Sequence, residues 1–570
     1  HPFFPISFML IAQKLKRYKK PLIIVAAVLA TLIVTLVLFV NRFVEPILRD
    51  RLHTLIIQGS DSLYTYTLGK LNANFFGGSV EVENLHIQVD SSRYEELKRR
   101  NALPSLTMQL DLDKGQIRGL SIFPLLFGKK IKVKEIISRD ADIRIARHIH
   151  KRDTQQTTTP LWKALQPNIT GIEIDRVRLD GVKFLYRNAD TSESVKLQFD
   201  RCDALFEDIV VDSAATYDTT RIGFTGNIWM RFHDLKFRSP DSSMKLKAEW
   251  ITYSSKQRSF EVDSFKMQPT LEEKEDFYRA VGRQKPMQVI EFVKARLVNL
   301  HIDRFIHNNI IQADSLIFIK PEISIYLDRT PPPTYESKLG HFPHQRLLRA
   351  SSTIKVKNIS VQDGRLEYSE YNPKTEGTGE LLFTRMNLSA DNVTNDSILI
   401  RQNPITTAKV STLLFGSSPL STEFRFYLDS ANGRFDAQGT LTDVNADQVN
   451  KLAVPMANVQ MQSFNMHRLD FQVTGEDYGA RANVQMRYNN LSLLLRKTDE
   501  ETGETTTKKF LTKILNKYVL WSDNPGSDGV LRTATNVNQI RLTTKSFFGL
   551  LWKSIFSGMQ DIMMKSGRYE

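Results

Sequence analysis

The sequence predicts a mainly β protein, an N-terminal transmembrane helix followed by a long curled antiparallel β-sheet (a groove) with a few capping helices. Three observations predict it. One charge-free apolar run of membrane length stands near the start, period-two alternation fills most of the chain beyond it, and stretches with helical spacing are few.

Of the 570 residues, 41% are hydrophobic and 25% charged, which excludes wholesale disorder and a polytopic membrane protein. The single cysteine, Cys202, excludes an intrachain disulfide framework, a cysteine-rich zinc module and a CxxC redox pair. A net charge of +14 invites nucleic acid or an anionic membrane as partner, and its placement separates the two. Residues 1–20 contribute +5 and residues 496–570 contribute +4, leaving +5 spread over the long middle. The basicity is densest at the ends, and no basic stripe remains for nucleic acid.

Residues 1–20 form a basic N-terminus carrying Lys14, Lys16, Arg17, Lys19 and Lys20 and no acidic residue. The transmembrane helix is placed at 21–42. Leu22 to Val40 carries no charge and is interrupted only by Thr31 and Thr35, and as a helix it would measure about 28 Å. By the positive-inside rule the N-terminus stays cytoplasmic and the remainder is exported. The following VNRFVEP offers no small-x-small cleavage site, so an uncleaved single-pass anchor is expected rather than a signal peptide.

Residues 43–75 read as a stalk or capping helix, from the helical spacing of apolar residues between Val44 and Leu71. A first β half is placed at 76–330. Within it alternate Val80-Glu81-Val82-Glu83, Met108 to Leu112, Ile143-Arg144-Ile145, Val182-Lys183-Phe184 and Val195 to Phe199. Such strands bury one face and wet the other, the pattern of antiparallel sheets. Pro331-Pro332-Pro333 marks a linker or loop at 331–344, a second β half follows at 345–507, and 508–570 is a helical C-terminal segment. Asp180-Gly181, Asp363-Gly364 and Asn432-Gly433 are expected to punctuate strands as turns. Helices are expected at Ser91 to Asn101, Leu271 to Val281 and Lys508 to Leu520.

The halves echo one another. Ile172 to Gly181 resembles Ile354 to Gly364, and Ile131 to Ile136 followed by Ile143 to Ile145 is a looser third copy. Both main copies slip phase by one residue, between Ile174 and Val177 and between Val356 and Ile359, as a β-bulge would make them do.

A long sheet with one apolar face must cover that face. Few helices are expected after the anchor, so the sheet either curls on itself or is filled by apolar molecules; an ordinary packed sandwich array fits the same pattern. The inward set in the first copy is Ile172, Ile174, Val182, Phe184, Val195, Leu197 and Phe199. In the second it is Ile354, Val356, Leu366 and Tyr368. Ser546 to Lys565 reads as an amphipathic helix with Phe548, Leu551, Trp552, Ile555, Met559 and Ile562 on one side. That face suits either a cap on the β unit or a membrane interface.

No phosphate-binding loop, dinucleotide fingerprint, nucleophile elbow or HExxH is present. His148-Ile149-His150 lacks a third ligand at useful spacing, and Cys202 lacks a nearby histidine, so neither a metal site nor a thiol nucleophile is expected. Catalytic residues, cofactors and metals are all expected to be absent, and nothing argues for an enzyme.

Several segments resemble the AsmA-like family. Ile117 to Ile136, with Leu120-Ser121-Ile122-Phe123-Pro124-Leu125-Leu126-Phe127-Gly128 at its centre, resembles that family's strand, "LSxxPLLxG" turn and second strand. Phe76 to Leu85 is similar to its early hairpin, and Phe435 to Leu441 to its late repeated strand. Leu452, Pro455, Leu469, Phe471 and Ala482 to Leu491 also fit. In this order, behind an anchor, the motifs span nearly the whole chain. The Pro331 to His344 insertion and the C-terminal SFFGLLWKSIFSG depart from the pattern.

The resemblance implies a protein of a Gram-negative envelope, anchored in the inner membrane with its bulk in the periplasm. Such proteins are similar to repeating β-groove lipid-transfer proteins and are associated with phospholipid supply to the outer membrane and its integrity. The expectation is a non-enzymatic carrier or conduit for phospholipid, to which the membrane reading of the C-terminal helix would add a contact with the outer membrane. The rival is a periplasmic scaffold that assists outer-membrane protein assembly without moving lipid.

Overall fold

In the computed structural model, the residues described are 56–57, 60, 62–74, 78–100, 102–104, 106–121, 130–148, 170–189, 195–218, 220–239, 241–498 and 505–565. The predicted transmembrane run at 21–42 lies outside them, as do most of the stalk and Ile122 to Lys129 of the family-like turn. Among the described residues no helix is long and apolar enough to cross a membrane. The chain is mainly β, with several helices, and its contacts divide it into two compact units. One, here the N-unit, runs to Phe265 and takes back Val298–Asn309; the other, the C-unit, holds Lys266–Leu297 and Ile310 onward.

The N-unit begins with β1 (Tyr64–Asn74), β2 (Ser79–Val89), helix α1 (Ser91–Arg99), β3 (Leu106–Arg118) and β4 (Lys130–Arg147). Neighbouring strands among these pair antiparallel. Tyr64 to Leu71 was expected to be helical. It is strand instead, because Tyr64, Tyr66 and Leu68 alternate with threonines and pair with Val89, Ile87 and Leu85. Helix α1 starts where expected, the Asp90 carboxylate accepting from the Arg93 N–H at 2.8 Å as N-cap.

The next pairing departs from an all-antiparallel sheet. β4 and β5 (Gly171–Asn188) run parallel, with Ile131 beside Ile172, Val133 beside Ile174 and Ile143 beside Phe184. The looser third copy of the repeat therefore lies in register against the first. Beyond it β5, β6 (Val195–Val211), β7 (Thr225–Arg238) and β8 (Met244–Ser254) continue antiparallel, and β9 (Ser259–Pro269) and β10 (Met287–Val298) follow in the chain.

The C-unit repeats that arrangement. β11 (Ile310–Ile319) and β12 (Glu322–Asp328) together take the place of β4, and both pair parallel with β13 (Thr353–Asn372). From β13 the chain passes antiparallel through β14 (Gly377–Thr394), β15 (Ile405–Leu414), β16 (Ser418–Tyr427), β17 (Phe435–Asn445), β18 (Val459–Glu476) and β19 (Gly479–Thr498). The short β20 (Thr505–Thr507) and β21 (Thr533–Ile540) each pair with β19 in turn. Parallel neighbours need a crossover of about a dozen residues or more. That requirement explains the Pro331 to His344 stretch: it is the crossover from β12 to β13 within the C-unit, not a linker between halves.

The bulges are real but sit elsewhere than the phase slips suggested. The β5–β6 register is unbroken from Ile174 to Val177 and shifts between Leu179 and Val182; that of β13–β14 shifts between Val361 and Gly364. Gly181 and Asp363 occupy these breaks with φ of 72° and 53°. Each lies beside a second left-handed residue on the parallel neighbour, Asp140 (φ 49°) and Lys320 (φ 48°). A Cβ at Gly181 would come within 2.6 Å of the Asp140 carboxylate, which would have to turn aside, and the positive φ favours glycine there. Two of the three expected turn dipeptides are thus mid-strand bulges, which bend the strands. Only Asn432-Gly433 joins two strands, β16 and β17.

Helices also do more covering in the C-unit than expected. Besides α2 (Lys274–Val281), the expected segments give α7 (Lys509–Ile514), continued by a wide turn at Leu515–Val519, and α8 (Phe547–Met563). Periodicity overlooked α4 (Pro343–Leu348), α5 (Ser397–Gln402) and, in the N-unit, α3 (Ile302–Asn308), which are too short for a clear 3.6-residue pattern, and α6 (Ala446–Ala457), which carries Pro455 inside it. Phe547, Leu550, Leu551, Ile555 and Ile562 of α8 join the apolar core of this sheet, and the helix roofs its β18, β19 and β21 end. Gly558 lets the helix approach closely, since a Cβ there would sit 2.4 Å from Val484.

The crossover is built into this core. Phe342 is fully buried, with Phe435 and Phe547 at ring-centroid distances of 5.6 and 5.3 Å. His344 stacks on Phe426 at 5.1 Å, and burial pushes its pKa down to about 4. A histidine held neutral in the folded state binds its proton first in the unfolded one. Its stabilising contribution is complete above about pH 6.5 and is lost as pH falls towards 4. His344→Phe should therefore remove part of the acid sensitivity, on the order of 2–3 kcal/mol at pH 4 relative to pH 7. Denaturant melts of both forms at the two pH values check this; parallel pH profiles would contradict it.

Candidate functional site

The candidates from the first copy come together in the N-unit. Ile172, Ile174, Val182, Phe184 and Phe199 are all buried in one apolar cluster, with Leu197 half-buried against it and Val195 half-buried at the start of β6. The register explains why. Tyr66, Ile87, Leu110, Ile143, Phe184 and Phe199 are successive cross-strand partners, so one apolar row crosses six strands at right angles to them. At the usual strand spacing it is about 24 Å long. A parallel row runs through Leu68, Leu85, Leu112 and Ala141. Phe184 and Phe199 stack at 5.2 Å, and Phe199 meets Phe232 of β7 edge-on at 5.1 Å.

Sequence reasoning missed Leu85, Leu110 and Ile131, which are among the most deeply buried members of this interior. Their signal was available in the same alternations but was not carried across to the first four strands. Cys202 belongs to the cluster too, and burial pushes its thiol up to about 12, which leaves a passive apolar side chain.

The opposite face of these strands is wet and charged. Glu173 of β5 pairs with Lys130 and Lys132 of the neighbouring β4, and Lys114 of β3 with Glu81 of β2. The lysines hold both carboxyl groups below the usual glutamate range. Half-exposed ladders of this kind keep the outside soluble and contribute little to stability.

The second-copy candidates are placed differently and are not gathered with the first. Ile354 and Val356 are buried in the C-unit beside Ile311 and Ala313 of the parallel strand. Leu366 and Tyr368 are half-buried beside Ile323 and Ile325. The Tyr368 hydroxyl donates to Glu370 at 2.6 Å, and burial raises its pKa.

One concavity of the C-unit is lined mainly by residues of polar type. It measures about 1010 Å³ and is lined by residues from β14 to β19 and β21. Lys409, Ser421, Gln438, Gln472, Asn483 and Thr533 are exposed around it, whereas Phe471, Val484 and Ala534 between them are buried. The concavity therefore opens on the hydrophilic face of the sheet, the apolar face being roofed by α8. Its chemistry is that of a hydrogen-bonding surface. Thr440 donates to Asp470 at 2.6 Å, and the Arg468 guanidinium holds that carboxyl below its ordinary range.

No protein-family model and no curated protein matches the chain.

Among the described residues no three His, Cys, Asp or Glu side chains are placed to hold a metal ion. His148 is buried 3.1 Å from the Thr107 hydroxyl, with Tyr94 beside its ring, and His150 lies outside the described residues. The C-terminal helix divides the face expected of it. Leu551, Ile555 and Ile562 are buried, Met559 is half-buried, and Phe548 and Trp552 remain exposed. It is a cap on its inner side, with Ser546 as N-cap accepting from the Gly549 N–H at 3.2 Å.

Proposed function

We propose that this chain is a non-enzymatic phospholipid carrier or conduit, anchored in an inner membrane by residues 21–42, with its bulk in the periplasm and its lipid destined for the outer membrane. The observation that supports it is the apolar row across β1 to β6 of the N-unit. Its length, about 24 Å, exceeds the roughly 15 Å spanned by the acyl chains of one leaflet. An acyl chain laid along it would exchange one apolar environment for another, at about 0.8 kcal/mol for each CH2 kept from water. The charged ladder on the other face keeps such a carrier soluble. Because the row is closed over by its own side chains, loading requires contacts such as Phe184 on Phe199 to part.

Native mass spectrometry of the detergent-extracted full chain should show co-purifying phospholipid. A lipid-free protein would sink the reading. Leu197→Asp supplies the local test. This half-buried residue, beside Tyr186 and Phe237, can turn a carboxylate towards water at a cost of about 1–2 kcal/mol. The variant should stay folded and lose most of the bound lipid, whereas unchanged lipid would place the ligand elsewhere.

A further inference from the structure

The C-unit carries a surface that its own core does not explain. Phe548, Trp552 and Phe556 project from α8 at four-residue intervals, opposite the side that enters the core, and are 50%, 49% and 37% exposed. Trp552 and Phe556 stack at 5.8 Å, forming one aromatic ridge. A second helix adds to it. On α7 and the turn after it, Phe510 is 76% exposed and Tyr518 63%, with Leu511 and Ile514 between them also exposed. The far end of α8 is tied to that turn, since the Lys565 N–H donates to the Val519 carbonyl and its Nζ to that of Lys517.

The charge around these side chains has one sign. Segments 508–521 and 543–565 hold seven lysines (508, 509, 513, 517, 545, 553 and 565) and a single acidic residue, Asp561. All seven lysines are exposed. Exposed aromatics beside lysines match the interface of an anionic bilayer, where rings sit at headgroup depth and ammonium groups meet phosphates. A second copy of this chain would set lysine against lysine, so the charge disfavours self-association.

We propose that α7 and α8 form a rigid docking face for an anionic lipid surface. Leu551, Ile555 and Ile562 hold α8 to the sheet, so it lies on the membrane with only its outer side immersed. The face deepens the lipid-carrying reading by giving the protein a second membrane to touch, and its test is separate from that of lipid binding.

Full-length protein in phosphatidylcholine nanodiscs should co-float with vesicles that are one-third phosphatidylglycerol, and far less with phosphatidylcholine vesicles. Raised salt should weaken the association. The variant Phe548→Ser/Trp552→Ser/Phe556→Ser, and separately Lys509→Gln/Lys513→Gln/Lys517→Gln/Lys553→Gln, should each bind at least about tenfold more weakly with unchanged melting. Equal flotation of the aromatic variant overturns the proposal, as does equal binding to neutral vesicles. A fall in mass from dimer to monomer in that variant would assign the ridge to a second copy instead. Phospholipid retained by a variant that no longer floats separates docking from carriage; lost carriage with intact flotation would overturn only the earlier reading.

Discussion

Replacing Asp477 by Asn should destabilise the C-unit by about 3–5 kcal/mol, among the largest effects expected of any near-isosteric change in this chain. Asp477, in the turn between β18 and β19, and Arg541, just after β21, form a buried ion pair at 3.1 Å. The carboxylate also accepts from the Gly340 N–H at 2.9 Å and from the Gln345 amide at 2.6 Å. The guanidinium donates in addition to the carbonyls of Lys338, Asp477 and Lys545, so it is fully hydrogen-bonded, and it lies over the Phe342 ring at 4.4 Å. Burial pulls its pKa down, against the opposing pull of Asp477.

An asparagine would keep the shape but remove the charge. One of its two terminal atoms would become a donor facing another donor, and Arg541 would be a buried cation without its partner. Thermal unfolding should fall by about 6–15 °C in a unit of this size. The double variant Asp477→Leu/Arg541→Met should recover much of that loss, because replacing both partners of a buried pair is often neutral. A single-variant loss below about 1 kcal/mol would mean that water reaches the guanidinium.

Phe184→Asp should unfold the N-unit rather than merely empty it. Removing a buried phenylalanine costs about 3–5 kcal/mol, and a desolvated carboxyl without a hydrogen-bond donor adds to that. Phe184 lies between Ile143 and Phe199 in the apolar row, and the residues around it are apolar. Loss of β signal and of cooperative melting is the expected result. A well-folded variant would show that the row is open to solvent. The contrast with Leu197→Asp, on the neighbouring strand but half-buried, separates an interior position from one at which ligand can be excluded without loss of the fold.

The shared burial of the first-copy side chains was legible in the sequence. Ile172, Ile174, Val182, Phe184 and Phe199 were assigned to one face by alternation, and all five are buried in a single cluster. What alternation could not supply was the neighbour. Ile143 meets Phe184 only because β4 and β5 run parallel, a pairing that depends on where the chain returns after a long crossover. The same limit hid the place of Phe342, which reads as part of a proline-rich loop yet fills the centre of an aromatic core.

The sequence by itself determined the elements whose physics is local. A pleat that turns each side chain to the opposite face marks strands by period-two alternation, and a carboxylate or hydroxyl before an apolar-periodic run marks helix starts at Asp90 and Ser546. Bulges were expected at the phase slips after Ile174 and Val356 but sit at Gly181 and Asp363, whose dipeptides read as turns because left-handed φ serves both uses. Only the tertiary structure decided which strands run parallel, that α8 buries Leu551 while leaving Trp552 exposed, and that residues of β14 to β19 and β21 line one hollow of the C-unit. Each of these depends on segments far apart in the chain meeting, and burial belongs to the meeting rather than to the residue.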